Sequence, residues 1–341
     1  MFKPKYKISN RLLANIKRIA SLTAELNSGR FPKVVIMAME KEARELSSYS
    51  STSIEGNPLP LTEVKRILKH HPKNIRDTER EVLNYNQALE KLDKMIQNQK
   101  AHLSLKLILD IQKGITRGLL DKYRCGRLRK EPVFVNDPRA RKTIYWPPDH
   151  QDVKALMDNL LTFVKKNEGA IDPLILAGIF HKQFVIIHPF IDGNGRAARL
   201  ATKVLLAALG LNTFNLFSFE NYYNQNVSKY FARVGELGNY YEIKDKINFT
   251  PWLEYFTDGI IDELLRVGKE LHASAVTPEK ELKDYHQLML DHIKEHGYIT
   301  DKEYSKLTRR AKATRNKDFN KLISLGLIKK KGKGKATYYT F

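Results

Sequence analysis

Cysteine is almost absent from this chain of 341 residues: Cys125 stands alone. One thiol can neither close an intrachain disulfide nor build a cysteine-rich zinc site, so packing must hold the fold, and a reducing compartment suits it. Long apolar runs are missing too. The strongest, 174–180 and 204–211, fall far short of the roughly 20 residues needed to span a bilayer. The first ten residues, MFKPKYKISN, are basic but lead into no apolar signal core. These absences give the expectation of a cytoplasmic protein without membrane association. Acidic residues are also in deficit, 38 Asp and Glu against 59 Lys and Arg, for a formal net charge of +21. Much of the excess lies at one end, where residues 301–341 hold thirteen Lys and Arg against Asp301, Glu303 and Asp318. Such a module attracts nucleic acid or another polyanion, although a solubilising tail has the same composition.

What is present reads almost entirely as helix. Apolar residues near a 3.6 period predict helices over about 10–26, 75–98, 103–119, 153–166, 195–209 and 221–237. Pro32 opens another toward Ser53, Asp172-Pro173 supplies a cap and first position for one reaching Ile187, and Thr250-Pro251 opens one reaching about Leu271. One region breaks the pattern. Residues 132–145 place Val133-Phe134-Val135 and Thr143-Ile144-Tyr145 around Asn136-Asp137-Pro138, which predicts a hairpin. Residues 272–281 are small and polar, a linker. Beyond them come helices over 282–295 and 313–325, a capping box at Thr300 and Glu303, and two short β-prone runs around a Lys/Gly turn. Three helices and a hairpin resemble a winged helix-turn-helix over 282–341.

The informative stretch is His188-Pro-Phe-Ile-Asp-Gly-Asn-Gly-Arg-Ala-Ala-Arg199. Gly193, Asn194 and Gly195 sit where a turn becomes a helix, so free backbone amides and a positive dipole end can form an anion nest. Arg196 and Arg199 lie one helical turn apart and can reach one cluster of phosphates. Asp192 can hold Mg2+ through one carboxylate while phosphates supply other ligands. His188 can take a proton near neutral pH. Together these parts suit phosphoryl or nucleotidyl transfer.

The segment resembles the signature loop of the Fic (Fido) family, HPFx[D/E]GNGRxxR, at every defined position. The resemblance implies an all-α fold with a small β-hairpin flap, and AMP transfer from Mg-ATP to Ser, Thr or Tyr hydroxyls of a protein. His188 would be the general base and Asp192 the metal ligand. The amides of Gly193, Asn194 and Gly195 would cradle the phosphates, Arg196 and Arg199 would take the distal ones, and Phe190 would anchor the loop from below. Upstream, Ser51-Thr-Ser-Ile-Glu55-Gly56 resembles the family's inhibitory motif [S/T]xxxE[G/N], within a helix over about 32–55. Ser51 and Glu55 share a helix face, and Glu55 could pair with Arg199. Tyr230 resembles a family tyrosine near the nucleoside, with aromatic core packing as the alternative; the hairpin stands where the family has its flap, and His181 reads as structural. The domains expected are thus a catalytic one over 1–271, the linker, and the module over 282–341. The alternatives are removal of AMP or a related phosphotransfer, and a nucleotide-sensing regulator whose Arg309, Arg310, Lys312 and Arg315 contact DNA. An unidentified protein substrate and a homodimer gating the inhibitory helix complete the expectations.

Overall fold

The computed structural model describes every residue except 1, 71, 73, 138–141, 209, 211, 212, 214 and 276–281. The described chain is mostly helical: α1 (Asn10–Ser28), α2 (Lys33–Ile54), α3 (Leu61–His70), α4 (Asp77–Gln97) and α5 (Leu105–Thr116) precede the hairpin strands β1 (Val135–Asp137) and β2 (Lys142–Trp146). Then come α6 (Val153–Asn167), α7 (Pro173–Ile187), α8 (Asn194–Ala208), α9 (Phe219–Gln225), α10 (Val227–Val234), β3 (Gly238–Asn239), α11 (Tyr240–Ile243) and α12 (Thr250–Ala275). The last stretch holds α13 (Asp284–His296), α14 (Asp301–Leu307), α15 (Lys312–Ser324), β4 (Lys329–Lys331) and β5 (Tyr338–Thr340). Among the described residues no helix is long and apolar enough to cross a membrane. Two compact units result, one of residues 1–27 and 43–266, the other of 28–42 and 267–341.

In the larger unit α7 is the axis. It is apolar nearly all round, and every residue from Leu174 to Ile187 except Val185 is buried, as expected of a helix enclosed by others. Asp172 caps it by accepting the Leu174 N–H at 2.9 Å. α8 and α6 flank α7, and α4 and α5 flank α8. Gly178 lets α12 approach closely: a Cβ there would lie 2.6 Å from Leu253, and the Trp252 indole donates to the Gly178 carbonyl at 2.8 Å.

Three local expectations are revised. The helix expected over 221–237 is two, because the Asn226 side chain accepts the Lys229 N–H at 3.0 Å and starts α10 afresh; a cap residue outcompetes continuation. α3 was not anticipated between its prolines. It is held by burying Val64, Ile67 and Leu68 against Val82 and Leu83. The linker expected over 272–281 is helical through Ala275, and 276–281 lie outside the described residues. The hairpin forms as expected, with Asn136 opposite Thr143 and an irregularity after Val135; β2 continues in parallel onto β3 through Tyr145 and Gly238. Its turn, 138–141, lies outside the described residues.

In the smaller unit, Phe319 of α15 stacks on Tyr339 of β5 at 3.9 Å, and Tyr304 of α14 meets Phe319 edge-on. The capping box forms, Thr300 Oγ1 accepting the Glu303 N–H at 3.2 Å and Glu303 accepting the Thr300 N–H at 2.7 Å. Buried Asp318 accepts from Tyr304 at 2.9 Å and from Arg310 at 2.8 Å. Arg310 also lies over the Tyr285 ring, and Arg315 pairs with Asp301 at 2.8 Å. Two of the four residues expected on DNA are therefore spent on the unit's own packing. Replacing Asp318 with Ala strands the buried Tyr304 hydroxyl, and a buried polar group left without its partner costs about 1–3 kcal/mol. Denaturant unfolding of the full chain should show a loss in that range, whereas breaking the exposed Arg66–Glu63 pair should leave it nearly unchanged.

Candidate active site

Pro189 forces α7 to stop. It lacks an N–H and restricts the residue before it. His188 closes the helix by donating its N–H to the Phe184 carbonyl at 3.1 Å and takes φ 51°. A left-handed, non-glycine residue costs about 1–3 kcal/mol and survives only where its surroundings dictate it. They do so here three times over. The Arg129 backbone N–H donates to the Pro189 carbonyl at 2.9 Å, and its Nε to the His188 carbonyl at 2.8 Å. Its remaining nitrogens donate to the carbonyls of Glu131 and Pro148. Asn194 binds Phe190 with both ends of its amide, accepting the N–H and donating to the carbonyl, each at 2.8 Å. Gln112 of α5 donates to the Asp192 carbonyl at 3.2 Å and accepts from the Gly126 N–H.

The His188 ring sits against the Val185 carbonyl, 3.3 Å from Nδ1. A carbonyl only accepts, so Nδ1 carries the proton and Nε2 keeps its lone pair. Burial pushes the imidazole down to about 4, resisted by the bond to Val185 and aided by the Arg129 charge. The ring is neutral at pH 7, the state a proton acceptor needs. Gly193 turns the chain at φ 82°. At Gly195 a Cβ would lie 2.2 Å from Glu55 Oε1, so the bare backbone makes room for that carboxylate. The first amides of α8 have no intrahelical acceptor.

Both loop arginines are engaged. Arg199, fully buried, donates from Nη2 to Glu55 at 2.7 Å and to the Ser51 carbonyl at 2.8 Å, and from Nε to Ser51 Oγ at 2.8 Å. Burial works against its charge, but Glu55 and the neighbouring tyrosines outweigh it and hold the guanidinium above its usual range. α2 can lie this close because its inner face is small: Ser47, Ser48, Ser50, Ser51 and Thr52 are all buried. Arg196 is held by Glu81 of α4 at 2.6 Å and by Asp192 at 2.8 Å.

The structure thus brings together His188, Asp192, Gly193, Gly195, Arg196, Arg199, Ser51, Glu55 and Gly56. Gly56 closes α2 at φ 96°, and Phe190 is fully buried under the loop. The Asn194 side chain is spent on the loop's own shape, which leaves its backbone amide, the group expected to meet phosphate. Tyr230 differs from the expectation of a place near the nucleoside. Tyr230 is buried at 1% exposure, stacked on Tyr223 at 4.6 Å. Its hydroxyl lies 3.4 Å from Arg199 and 3.2 Å from His181, so it reaches the site only through Arg199. His181 is structural, bonded also to Thr202 at 3.0 Å. Arg129, Gln112, Glu81 and Tyr145 were missed; the Tyr145 hydroxyl donates to the Ile186 carbonyl at 2.8 Å and ties β2 to the end of α7. They carry no motif, and each looks in sequence like an ordinary helix or strand residue.

Among the described residues no three His, Cys, Asp or Glu side chains converge to cage a metal. Asp192, with its side chain 46% exposed beside a glycine nest, fits a hard divalent cation that draws most ligands from phosphate and water. His181, like His188, is lowered by burial, to about 3. Unfolding returns both toward the ordinary 6.5, so the unfolded chain binds more protons below that pH, and native stability falls as pH drops from 6.5 toward 4. Each imidazole contributes a slope of up to about 1.4 kcal/mol per pH unit. Unfolding free energies at pH 7, 6, 5 and 4 should show that decline, and it should be shallower in His181→Gln.

The Fic/DOC family profile matches residues 102–206. The protein adenylyltransferase Fic of Aedes aegypti is 28% identical over 218 residues, 58% of this chain and 42% of that protein. This chain therefore spans about two-fifths of that relative's length. Two solved structures share the fold. A Fic family protein from Desulfovibrio desulfuricans G20 has a TM-score of 0.65 at 20% identity, covering 100% of this chain and 98% of that one. A Fic domain containing signaling protein from Bacteroides thetaiotaomicron has 0.61 at 21%, covering 76% and 98%. The stretch matched by the Fic/DOC profile holds all of His188–Arg199, and the fold is similar to that of these two Fic structures.

Proposed function

We propose that this protein is an adenylyltransferase that moves AMP from ATP to a Ser, Thr or Tyr hydroxyl of another protein and that Glu55 restrains it. The observation that carries the reading is Arg199, fully buried and satisfied by Glu55 at 2.7 Å beside an otherwise bare helix N-terminus. A guanidinium in that position needs an anion, and a distal phosphate is the alternative to Glu55. The name of the mosquito relative supplies the reaction class.

In this reading His188 Nε2 takes the proton of the incoming hydroxyl, whose oxygen bonds the α-phosphorus as the bond to the β-phosphate bridge breaks and diphosphate leaves. The amides of Gly193, Asn194 and Gly195 hold phosphate oxygens, and Arg196 and Arg199 orient the distal groups. A magnesium ion beside Asp192 would supply charge neutralisation on the phosphates. Tyr230 and His181 keep Arg199 in place from beneath. β1 is an edge strand of the order β1-β2-β3, and an extended target segment can pair along it. While Glu55 occupies Arg199 the distal phosphate is denied its partner, and the α-phosphorus is not presented for attack.

After incubation with Mg-ATP, intact mass should show one added AMP moiety on Glu55→Gly protein and little on wild type. Adding His188→Ala should lower the transfer rate by about 10²–10⁴-fold, the worth of a positioned base. Glu55→Gly that instead slows removal of AMP from a modified protein would select the opposite reaction, with Glu55 a participant rather than a brake.

A second property is proposed for residues 282–341, a winged-helix-like module that binds duplex DNA through its backbone phosphates. The supporting observation is that Lys329, Lys330 and Lys331 of β4 are all exposed, along with Arg309 and Lys312. Full-length protein should retard duplex DNA at low salt and release it as salt rises, and glutamines at the three lysines should flatten that salt dependence by up to about three phosphate contacts. No retardation would leave the basic surface to a protein partner.

A further inference from the structure

Glu81 belongs to no signature, yet Arg196 spends its charge on it. Glu81 Oε1 meets Arg196 Nη1 at 2.6 Å, while Oε2 accepts the side-chain amide of Asn57 at 2.7 Å. Asn57 stands two residues beyond Glu55 and is 8% exposed. Its amide also donates to the Thr78 carbonyl at 2.9 Å, its oxygen accepts the Leu59 N–H at 3.1 Å, and its own N–H closes on the Thr52 carbonyl at 3.1 Å. The peptide leaving α2 is thereby fastened to the first turns of α4. Glu55 restrains Arg199 from one end of this peptide, and Glu81, tied to the other, restrains Arg196.

We propose that Glu81 is a second restraining carboxylate, a positioning residue acting through Arg196, and that Asn57 couples its release to that of Glu55. The proposal rests on the reading of the loop as a triphosphate site. Around the loop's two guanidiniums stand three carboxylates, Asp192, Glu55 and Glu81. The local balance is negative, and phosphates must displace carboxylates to reach either arginine. Arg196 also keeps a buried Nε without an acceptor, so its present partners leave part of the guanidinium unsatisfied. A phosphate that draws Arg196 from Glu81 leaves Asn57 facing a carboxylate free to shift. The turn that carries Glu55 is then less firmly held. Conversely, withdrawing Glu55 pulls on Asn57 and loosens Glu81. Either arginine, once engaged by phosphate, eases the release of the other.

The test is calorimetric binding of Mg-ATP to full-length protein in a His188→Ala background, where transfer does not consume the ligand. Four proteins form the cycle: parent, Glu55→Gly, Glu81→Gln and both. A glutamine can accept from only one of the two donors that Glu81 now serves, and it carries no charge. Glu81→Gln should tighten ATP binding, and the double variant should gain less than the product of the single gains, by about threefold or more, as for residues sharing one network. Asn57→Ala touches neither arginine and should tighten binding as well; it carries the test if Glu81→Gln does not melt cooperatively. Weaker or unchanged binding on both substitutions, or strictly multiplicative gains, would overturn the proposal. If Glu55→Gly protein itself binds no ATP, the triphosphate reading of the loop fails first, and the coupling falls with it.

Discussion

A guanidinium with no exposed surface must have an anion, and the site is arranged around that need. Arg199 projects from the second turn of α8 into the interior, where water cannot solvate it. Removing one partner of such a pair leaves a buried charge and costs several kcal/mol. Glu55 meets the requirement from the residue after α2, aided by two hydrogen bonds that Arg199 donates to Ser51. In the proposed function a phosphate would meet it instead. In that proposal the arginine takes one occupant or the other, so inhibition and activity would be alternative ways of satisfying a single cation. The small face of α2 and the missing side chain at Gly195 are the steric conditions for the first occupant.

The loop ahead of Arg199 depends on α7 and α8 being fixed. α7 is buried almost throughout, so its end is a rigid support for His188. The left-handed turn there is enforced by Arg129, Asn194 and Gln112 rather than by local preference. Arg129 does two things together. It binds the His188 carbonyl, and its charge helps keep the imidazole neutral. Tyr145 extends the same support to the hairpin, joining β2 to the last turn of α7. The strand edge proposed for a target and the proposed base are thus mounted on one helix terminus.

Much of this was legible in the sequence because local chemistry repeats locally. Helical periods, the Asp172-Pro173 start and the Thr300 capping box placed most elements to within a few residues. The loop was legible because its residues act within twelve consecutive positions, and Ser51 with Glu55 because an i, i+4 pair needs only a helix to converge. Where a local rule competed with a periodic one, the pattern misled. Asn226 split a helix that looked continuous, and α3 emerged from a prolyl segment whose three apolar residues find their partners on α4. Arg310 and Arg315, free cations by composition, are folded into ion pairs with Asp318 and Asp301.

The sequence alone determined a helical protein with one glycine-rich loop, a histidine before it, a glutamate upstream and a basic end, because those properties reside in neighbouring residues. Only the tertiary structure decided which cation each carboxylate serves. Glu55 and Arg199 are separated by 144 positions, and Glu81, Asn57 and Arg196 come together from three separate segments. Charge pairing acts through space over a few ångströms, and spacing along the chain holds no record of it. Tyr230 and Asn194 make the same point, since their side chains could be assigned to the loop or the core only once the aromatic packing and the turn were in place.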